Sequence, residues 1–251
     1  READGLRRYL HLGTGNYNES TARLYTDFGL LTCREELGED CGKLFNMLTA
    51  MAAAPDFQKL YVSPHTLRPF LLREIDAQAN LARAGRPARI RAKVNSLLDP
   101  EIIQHLYAAS QAGTPIDLVV RGICALVPGN PDFSPTIRVR SIVGRYLEHH
   151  RIFAFGDGGN ARVYLASADW MPRNLDRRVE TCFPGEGEDL AHRVLSLLDT
   201  AIADNQKAWA MQPDGRYFRV RPEEGESPVG FQEACYAQAL RNLPDNLIGK
   251  E

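Results

Sequence analysis

The sequence predicts an α/β protein whose largely parallel sheet is covered by helices. From residue 59 onward, short apolar strands alternate with amphipathic segments of helical length, in the order 59–62, 64–85, 90–94, 100–111 and 116–120. The last of these, Ile116-Asp117-Leu118-Val119-Val120, is almost wholly apolar, which is typical of a strand buried on both faces. Parallel neighbours need long crossover connections, so this β-α-β rhythm predicts parallel strands with helices packed on the sheet.

The first fifty residues predict a separate group of elements. Residues 9–12 alternate loosely and run into the tight loop 13–16, and residues 21–32 form a second extended region. A helical segment follows Gly38, and the Ala-rich stretch 49–55 marks a domain boundary.

The helix starts and ends are predicted from residues at the ends of the apolar pattern. Ser63 as N-cap and Pro64 at the first helical position indicate a helix that stops near Gly85. The helix 100–111 is closed by Gly113.

The remaining chain predicts further strands and two helices. The strands are 137–142, 152–155, 163–166 and 179–183, and a long helix spans about 188–208. The stretch rich in Pro, Gly and Glu after Val220 predicts a loosely packed arm before a short helix near 231–242.

Composition excludes several classes of protein. The 251 residues carry 30 basic and 32 acidic side chains, so the net charge of −2 predicts no general attraction to nucleic acid. No apolar run approaches the ~20 residues of a membrane span. Five cysteines without a C-x-x-C pair argue against a disulfide framework or zinc cluster and favour an intracellular setting. The start, without Met or signal peptide, predicts a piece of a longer chain.

Arginine is concentrated in one stretch of the sequence. Of the 30 basic residues 25 are Arg, and residues 121–178 contain nine Arg, no Lys and five acidic residues, a local charge of +4. The planar guanidinium matches phosphate oxygens in a way that Lys does not. Codon bias is the better explanation of the whole-chain excess, but the local distribution predicts phosphate binding.

A pair of histidines in this stretch is the strongest candidate for chemistry. His149-His150-Arg151 directly precedes the strand 152–155. A neutral imidazole can attack phosphorus or hold a proton, and a neighbouring cation stabilises phosphoryl oxygens. Small polar residues after the next strand could orient a histidine or bind an oxyanion, namely Ser167, Asp169, Arg173 and Asn174. The alternative is an ordinary surface histidine beside a polar loop.

Two further positions are candidates for ligand contact. Arg121 ends the most apolar strand, where open α/β sheets bind ligands, although an arginine leaving for solvent is equally compatible. The loop Gly13-Thr14-Gly15-Asn16 could cradle an oxyanion with backbone amides. It lacks the spacing of a P-loop and of a dinucleotide fingerprint, so a plain turn is the alternative.

Four segments resemble the C-terminal half of bacterial polyphosphate kinases of the first type. They are HLGTGNYNESTARLYTDFGLLT (11–32), VRGICALVPG (120–129), IRVRSIVGRYLEHHRIF (137–153) and SADWMPRNLDRR (167–178). The resemblance implies a phospholipase-D-like mixed, largely parallel sheet flanked by helices, with a partial second copy at the N-terminus. The implied domains are 1–57, the end of a first such domain, 58–221, a complete second one, and 222–251, a C-terminal arm.

The resemblance also implies a reaction and its residues. The family transfers the ATP γ-phosphate reversibly to polyphosphate through a phosphohistidine, with Mg²⁺. His149 matches a histidine that contacts nucleotide phosphates and assists transfer, Arg121 and Tyr25 match nucleotide ligands, and His11 matches a supporting histidine. Local charge and chemistry add Asn16, Arg151, Ser167, Asp169, Arg173, Asn174 and Arg178 as supporting candidates.

One departure limits what this chain is expected to do. The family's phosphorylated histidine belongs to a His-x-Lys motif on the strand before His11, and residues 1–8 contain no histidine. We therefore expect the nucleophile and the magnesium ligands upstream, no metal site in this chain, and an inactive isolated chain.

The expected partners are ATP or ADP and inorganic polyphosphate, without nucleic acid. The family also implies a homo-oligomer in the cytoplasm, with peripheral membrane association compatible. Two alternatives remain: a catalytically silent module that binds polyphosphate or nucleotide, and a phospholipase-D-type phosphodiesterase. The second needs paired His-x-Lys motifs, and it is disfavoured because Arg151 stands where that motif has Lys.

Overall fold

The computed structural model describes residues 2, 5–50 and 55–241. Its helices are α1 Glu35–Ala50, α2 Leu67–Arg83, α3 Pro100–Gln111, α4 Glu188–Ala203 and α5 Phe231–Arg241. Its strands are β1 Leu10–Gly13, β2 Tyr25–Thr26, β3 Gly29–Thr32, β4 Tyr61–Ser63, β5 Ile90–Val94, β6 Ile116–Val120, β7 Ile137–Ile142, β8 Leu147–Glu148, β9 Arg151–Phe155, β10 Arg162–Ala166, β11 Glu180–Pro184, β12 Ala208–Met211 and β13 Tyr217–Arg219.

Nine of these strands form one mixed sheet in the order β13-β12-β7-β6-β5-β9-β10-β11-β4. This confirms the predicted α/β class with a mixed sheet flanked by helices. The parallel part is smaller than the β-α-β rhythm predicted, because only β5–β6 and β6–β7 pair in parallel. The remaining neighbours are antiparallel; the turn at 156–161 between β9 and β10, for example, is too short for a parallel crossover.

Helices cover both faces of the sheet and bury two main apolar cores and a smaller third cluster. Alternate residues of one strand point to opposite faces, so Phe153 of β9 packs under α2 and α3, whereas Ile152 packs with α1 and α4. The two cores place β5, β6 and β9 at the buried centre of the molecule. The carboxyl ends of β5 and β6 and the segment before β9 carry the candidate site.

The N-terminal part is joined to this sheet by a short strand pair. β1 and β3 pair with each other in antiparallel fashion, and β2 pairs in parallel with β8, with Tyr25 opposite Leu147 and Thr26 opposite Glu148. This pairing brings the Tyr25–Thr26 strand against the segment that contains His149. The domain limits 1–57, 58–221 and 222–251 stay predictions, and residues 51–54 and 242–251 lie outside the described residues.

The predicted helix start at Ser63-Pro64 is wrong. Ser63 lies in β4, and α2 begins at Leu67. The Ser63 hydroxyl donates to the carbonyl oxygen of Arg178 at 3.0 Å and accepts from the amide of Glu180 at 3.1 Å. A side chain bonded to the neighbouring strand is not available to cap a helix.

The long helix predicted at 188–208 ends earlier, at Ala203. Asp204 Oδ1 accepts from the amides of Gln206, Lys207 and Ala208, which turns the chain into the unpredicted hairpin of β12 and β13. The short C-terminal helix is confirmed as α5 over 231–241. Among the described residues, no helix is long and apolar enough to cross a membrane.

Candidate active site

His149 lies between β8 and β9 and is held by side chains from two other parts of the chain. Its Nδ1 atom is 2.9 Å from Oδ2 and 3.1 Å from Oδ1 of Asp27. Nη1 of Arg151 is 3.2 Å from His149 Nε2, and the Tyr25 ring lies 4.8 Å from the imidazole between centroids. Because a carboxylate only accepts and a guanidinium only donates, Nδ1 carries a proton toward Asp27 and Nε2 accepts from Arg151.

Asp27 is fixed in turn by the loop between β1 and β2. The Thr14 hydroxyl donates to Asp27 Oδ1 at 2.8 Å and accepts from the amide of Phe28 at 2.9 Å. A Cβ atom at Gly15 would stand 2.0 Å from Asp27 Oδ2, so the loop can approach the carboxylate only with glycine there. The sequence reasoning missed Asp27, although its i+2 spacing from Tyr25 places both on one side of an extended segment.

Arg151 is oriented by a buried ion pair with Asp169. Nε of Arg151 donates to Oδ1 at 3.1 Å and Nη2 to Oδ2 at 2.8 Å, a bidentate arrangement. The amide of Asn95 donates to the same Oδ1 at 2.7 Å. Burial alone would raise the pKa of Asp169, but the hydrogen bonds and charge of Arg151 and Asn95 hold it below its usual range. Asp169 is therefore ionised and holds Arg151 in place.

Lys93 in β5 and Asn95 just after it hold the backbone around His149 by hydrogen bonds. Lys93 Nζ donates to the carbonyl oxygens of Glu148 at 3.1 Å and His150 at 3.2 Å. Asn95 Nδ2 donates to the carbonyl oxygen of His149 at 3.0 Å. Three consecutive carbonyl groups are thus held from one strand. Burial lowers the pKa of Lys93 to about 8. Nothing in the sequence around Lys93 or Asn95 indicates this role.

Arg121 joins the same cluster from the end of β6, as its position after an apolar strand predicted. Its Nε donates to Asn95 Oδ1 at 2.9 Å, and burial lowers the pKa of the half-buried guanidinium. Among the described residues, Nη1 and Nη2 of Arg121 form no hydrogen bond. These donors are therefore free to bind an anion beside His149.

Three of the predicted supporting residues gather around a different carboxylate. Ser167 Oγ donates to Glu180 Oε2 at 2.5 Å, and Asn174 Nδ2 donates to Oε1 at 2.6 Å. Arg178 Nη1 lies 3.9 Å from the same Oε1. Within the described residues none of the three contacts His149. The polar atoms of Ser167 and Asn174 bond to Glu180 on the adjacent strand and do not orient His149 here, and their supporting role in binding an oxyanion stays a prediction.

The arginine-rich stretch does not form one positive field around His149. Of its nine arginines, only Arg121 and Arg151 belong to the described cluster. Three of the others bond to groups outside the cluster: Arg138 to Asp117, Arg140 to the carbonyl oxygen of Ile202, and Arg162 to Glu74. Arg178 lies near Glu180, and Arg145 lies over the Tyr146 ring. Arg173 and Arg177 are exposed. Arg138 and Arg140 lie on the face of the sheet opposite Arg151, because residues paired across strands share a face and successive residues alternate between faces.

His11 and Asn16 lie in a cavity beside Asp27. They line a cavity of about 280 Å³ together with Tyr25 and Asp27. The His11 imidazole contacts the hydroxyl of Tyr17 through Nδ1, and both His11 and Asn16 are exposed. The structure therefore places these two candidates next to the carboxylate that anchors His149 and not next to His149 itself.

The described residues offer no obvious metal centre. No group of three or more His, Cys, Asp or Glu side chains in 2, 5–50 and 55–241 is arranged to hold an ion. Two carboxylates of this cluster are already engaged, Asp27 by Thr14 and His149 and Asp169 by Arg151.

Comparison with known proteins decides the family. The model for polyphosphate kinase C-terminal domain 2 matches residues 60–232, and that for C-terminal domain 1 matches residues 1–54. The chain belongs to the polyphosphate kinase family. The resemblance found in the sequence is therefore confirmed over most of the chain.

Relatives and a solved structure agree with this assignment. The polyphosphate kinase of Pseudomonas aeruginosa PAO1 is 55% identical over 232 residues, covering 92% of this chain and 34% of that protein. The polyphosphate kinase of Synechocystis is 51% identical over 246 residues, covering 98% and 34%. The crystal structure of polyphosphate kinase from Porphyromonas gingivalis superposes with a TM-score of 0.88 at 36% identity, over 93% of this chain and 36% of that one. The chain spans about a third of the length of these relatives.

Proposed function

We propose that this chain is part of a polyphosphate kinase that transfers the ATP γ-phosphate reversibly to inorganic polyphosphate. The observation that carries the proposal is the fixed imidazole of His149, anchored by Asp27 through Nδ1, with two guanidinium groups of the same cluster beside it. Phosphoryl transfer depends on positioning and on charge neutralisation, and this cluster supplies both. Family membership supports the choice of substrates.

In the proposed reaction the bond from the γ-phosphorus to the bridging oxygen of ATP breaks and ADP leaves. A bond from phosphorus to a histidine outside these 251 residues forms, and the phosphoryl group then passes to the terminal oxygen of polyphosphate. His149 accepts a proton at Nε2 during transfer, and the protonated ring then donates to a phosphoryl oxygen, while the free Nη atoms of Arg121 bind nucleotide phosphate oxygens. Tyr25 packs against the imidazole and limits its rotation.

Mg²⁺ is proposed for the whole protein on family grounds alone. The described residues do not present the carboxylate cluster that would hold it here, so its ligands would come from other parts of the protein. No step is derived through this ion. A homo-oligomer in the cytoplasm is proposed on the same family grounds, and peripheral membrane association is compatible with it.

The test uses the full protein that carries this chain and γ-³²P-labelled ATP. We expect acid-labile phosphohistidine and labelled polyphosphate from the unaltered protein, and loss of polyphosphate synthesis in His149→Ala. His65→Ala, which alters an exposed histidine before α2, is the matched control and should retain activity. Unchanged synthesis in His149→Ala would contradict the proposal.

The 251-residue chain alone tests where the nucleophile lies. We expect it to bind ATP without forming phosphohistidine, because the nucleophile is proposed to lie elsewhere. Incorporation of label on a histidine of the isolated chain would overturn that placement of the nucleophile.

A further inference from the structure

Asn95 lies directly after β5, and its side chain joins three parts of the candidate active site. Its Oδ1 atom accepts from Arg121 Nε at 2.9 Å. Its Nδ2 atom donates to the His149 carbonyl oxygen at 3.0 Å and lies 3.2 Å from Asp169 Oδ1. Asn95 is only 4% exposed, so these bonds are shielded from water. A single amide therefore links the guanidinium of Arg121 to the backbone of His149.

The partners of Asn95 match the chemistry of an amide. A guanidinium only donates, whereas carbonyl and carboxylate oxygens only accept. The side chain between them must therefore accept on one atom and donate on another. A carboxylate in this place would direct an acceptor at the His149 carbonyl and a second negative charge at Asp169. An aliphatic side chain would leave the Arg121 Nε donor without this partner.

The sheet brings Asn95 and Arg121 side by side. β5 and β6 pair in parallel with Val94 opposite Val120, so Asn95 and Arg121 are the next residues along the two chains. The amide of Gly122 donates to the Asn95 carbonyl oxygen at 2.7 Å. A Cβ atom at Gly122 would stand 2.9 Å from that oxygen, so the strand ends approach this closely only with glycine there.

Asn95 can act on a nucleotide only through its neighbours, because its amide atoms are engaged with protein groups. Without the amide, Arg121 would keep its charge but lose its fixed place relative to the His149 imidazole. A guanidinium can bind a phosphate from several positions, whereas transfer needs the reacting atoms aligned. Loss of the amide should therefore affect the transfer step more than the binding of ATP.

We propose that Asn95 is a positioning residue, which holds the Arg121 guanidinium at a fixed place relative to His149 and so aligns the bound nucleotide phosphate with the imidazole. This role rests on the proposed phosphoryl transfer, in which Arg121 binds the nucleotide. The backbone amide of Asn95 also donates to Asp169, which holds Arg151. Asn95 is thus bonded to the supports of both guanidinium groups.

The test measures kcat and KM for ATP in the full protein that carries this chain. Asn95→Ala should lower kcat by about 10- to 100-fold, the scale of a misplaced reacting group, with KM for ATP changed by less than about threefold. Asn46→Ala, at an exposed position of α1, is the matched control and should leave both constants unchanged. A residue that only stabilises the fold would change the melting temperature and leave kcat per folded molecule unchanged.

A double variant separates an effect through Arg121 from a general effect on His149. If Asn95 acts through Arg121, adding Asn95→Ala to Arg121→Ala should lower kcat further by less than about threefold. Independent effects would multiply, and full multiplication of the two single effects would overturn the proposal.

Gly122→Ala is a second variant in case Asn95→Ala fails to fold, as judged by thermal unfolding. It keeps every side chain of the cluster but forces the ends of β5 and β6 apart, so kcat should fall with little change in KM for ATP. An unaltered kcat in the variants that fold, beside an impaired Arg121→Ala, contradicts the positioning role alone. Unaltered kinetics in both Arg121→Ala and His149→Ala contradict the proposed function, and the role of Asn95 with it.

Discussion

Asp27 Oδ2 and His149 Nδ1 lie 2.9 Å apart although 122 positions separate the two residues in the sequence. The parallel pairing of β2 with β8 brings them together, since it places the Thr26 carbonyl against the amide of His149. His149 lies just before strand β9 of the large sheet, whereas Asp27 belongs to the N-terminal segment. The site therefore exists only where these two parts of the chain meet.

Asp27→Asn should lower the rate of phosphoryl transfer by about 10²-fold, the scale of an acid–base contribution. The amide can donate to Nδ1 and so favours the tautomer that turns a protonated Nε2 toward the substrate. Steady-state kcat of the full protein measures this, and Asp132→Asn at an exposed loop position is the control. A kcat within twofold of the unaltered value would contradict the role of Asp27.

Gly15→Ala should lower the same rate with little loss of stability. The new Cβ would stand 2.0 Å from Asp27 Oδ2, so the carboxylate must move away from His149. Gly42→Ala in α1 is a matched control because nothing lies within 4 Å of its added Cβ. That control should raise the free energy of unfolding by about 0.5–1 kcal/mol and leave the rate unchanged. Equal rates in the two variants would refute the steric argument.

Arg121→Ala should weaken the use of ATP without unfolding the protein. The free Nη atoms bind nucleotide phosphate in the proposal, and loss of a charged hydrogen-bonding group costs about 1.5–3 kcal/mol, roughly a 10- to 100-fold decrease in kcat/KM. Arg216→Ala, which removes an exposed guanidinium on the β12–β13 turn, is the control. The prediction fails if both KM for ATP and kcat are unaltered.

Asp169→Asn should destabilise the fold by about 3–5 kcal/mol at pH 7, the cost of leaving a buried charge such as Arg151 unpaired. The folded pKa of Asp169 is lowered, so its stabilisation is present above the unfolded pKa of about 3.9 and disappears as pH falls through the folded value. Urea unfolding of both proteins at pH 7 and down to pH 3 measures this. A stability difference independent of pH would contradict it.

Lys93→Met should remove a rise of stability at high pH. The folded pKa of Lys93 is about 8 against an ordinary value of 10.5. Between these values the unfolded chain binds the proton and the folded protein does not, so the free energy of unfolding rises with pH. Across this pH window, the free energy of unfolding of the unaltered protein should rise by about 3 kcal/mol relative to that of Lys93→Met. Lys207→Met should show no such relative change, and parallel pH profiles for all three proteins would refute the assignment.

The sequence predicted the elements with strong local patterns. The helix 100–111 and the strands 90–94 and 116–120 coincide with α3, β5 and β6, because each has a continuous apolar face and a clear beginning or end. The β12–β13 hairpin was missed because its four- and three-residue strands have little periodicity of their own. Their strand conformation depends on pairing with β7.

The candidate site was predicted in part. His149, Arg121 and Arg151 meet in the structure, because an arginine at a strand end and a histidine before a strand are local signals. Ser167 and Asn174 carry the same kind of signal but bond to Glu180. The neighbouring strand determines which carboxylate a polar side chain can reach. A single sequence does not show which strand that neighbour is.

The sequence by itself determined the α/β class, the long helices, the family and the position of His149, since all of these depend on local periodicity or on contiguous motifs. Only the tertiary structure decided that Asp27 anchors His149, that Asp169 holds Arg151, and that Asn95 links Arg121 to the backbone of His149. Those relationships depend on strand register and on the alternation of side chains between two faces. They join groups from distant parts of the chain, whose proximity is a property of the folded sheet.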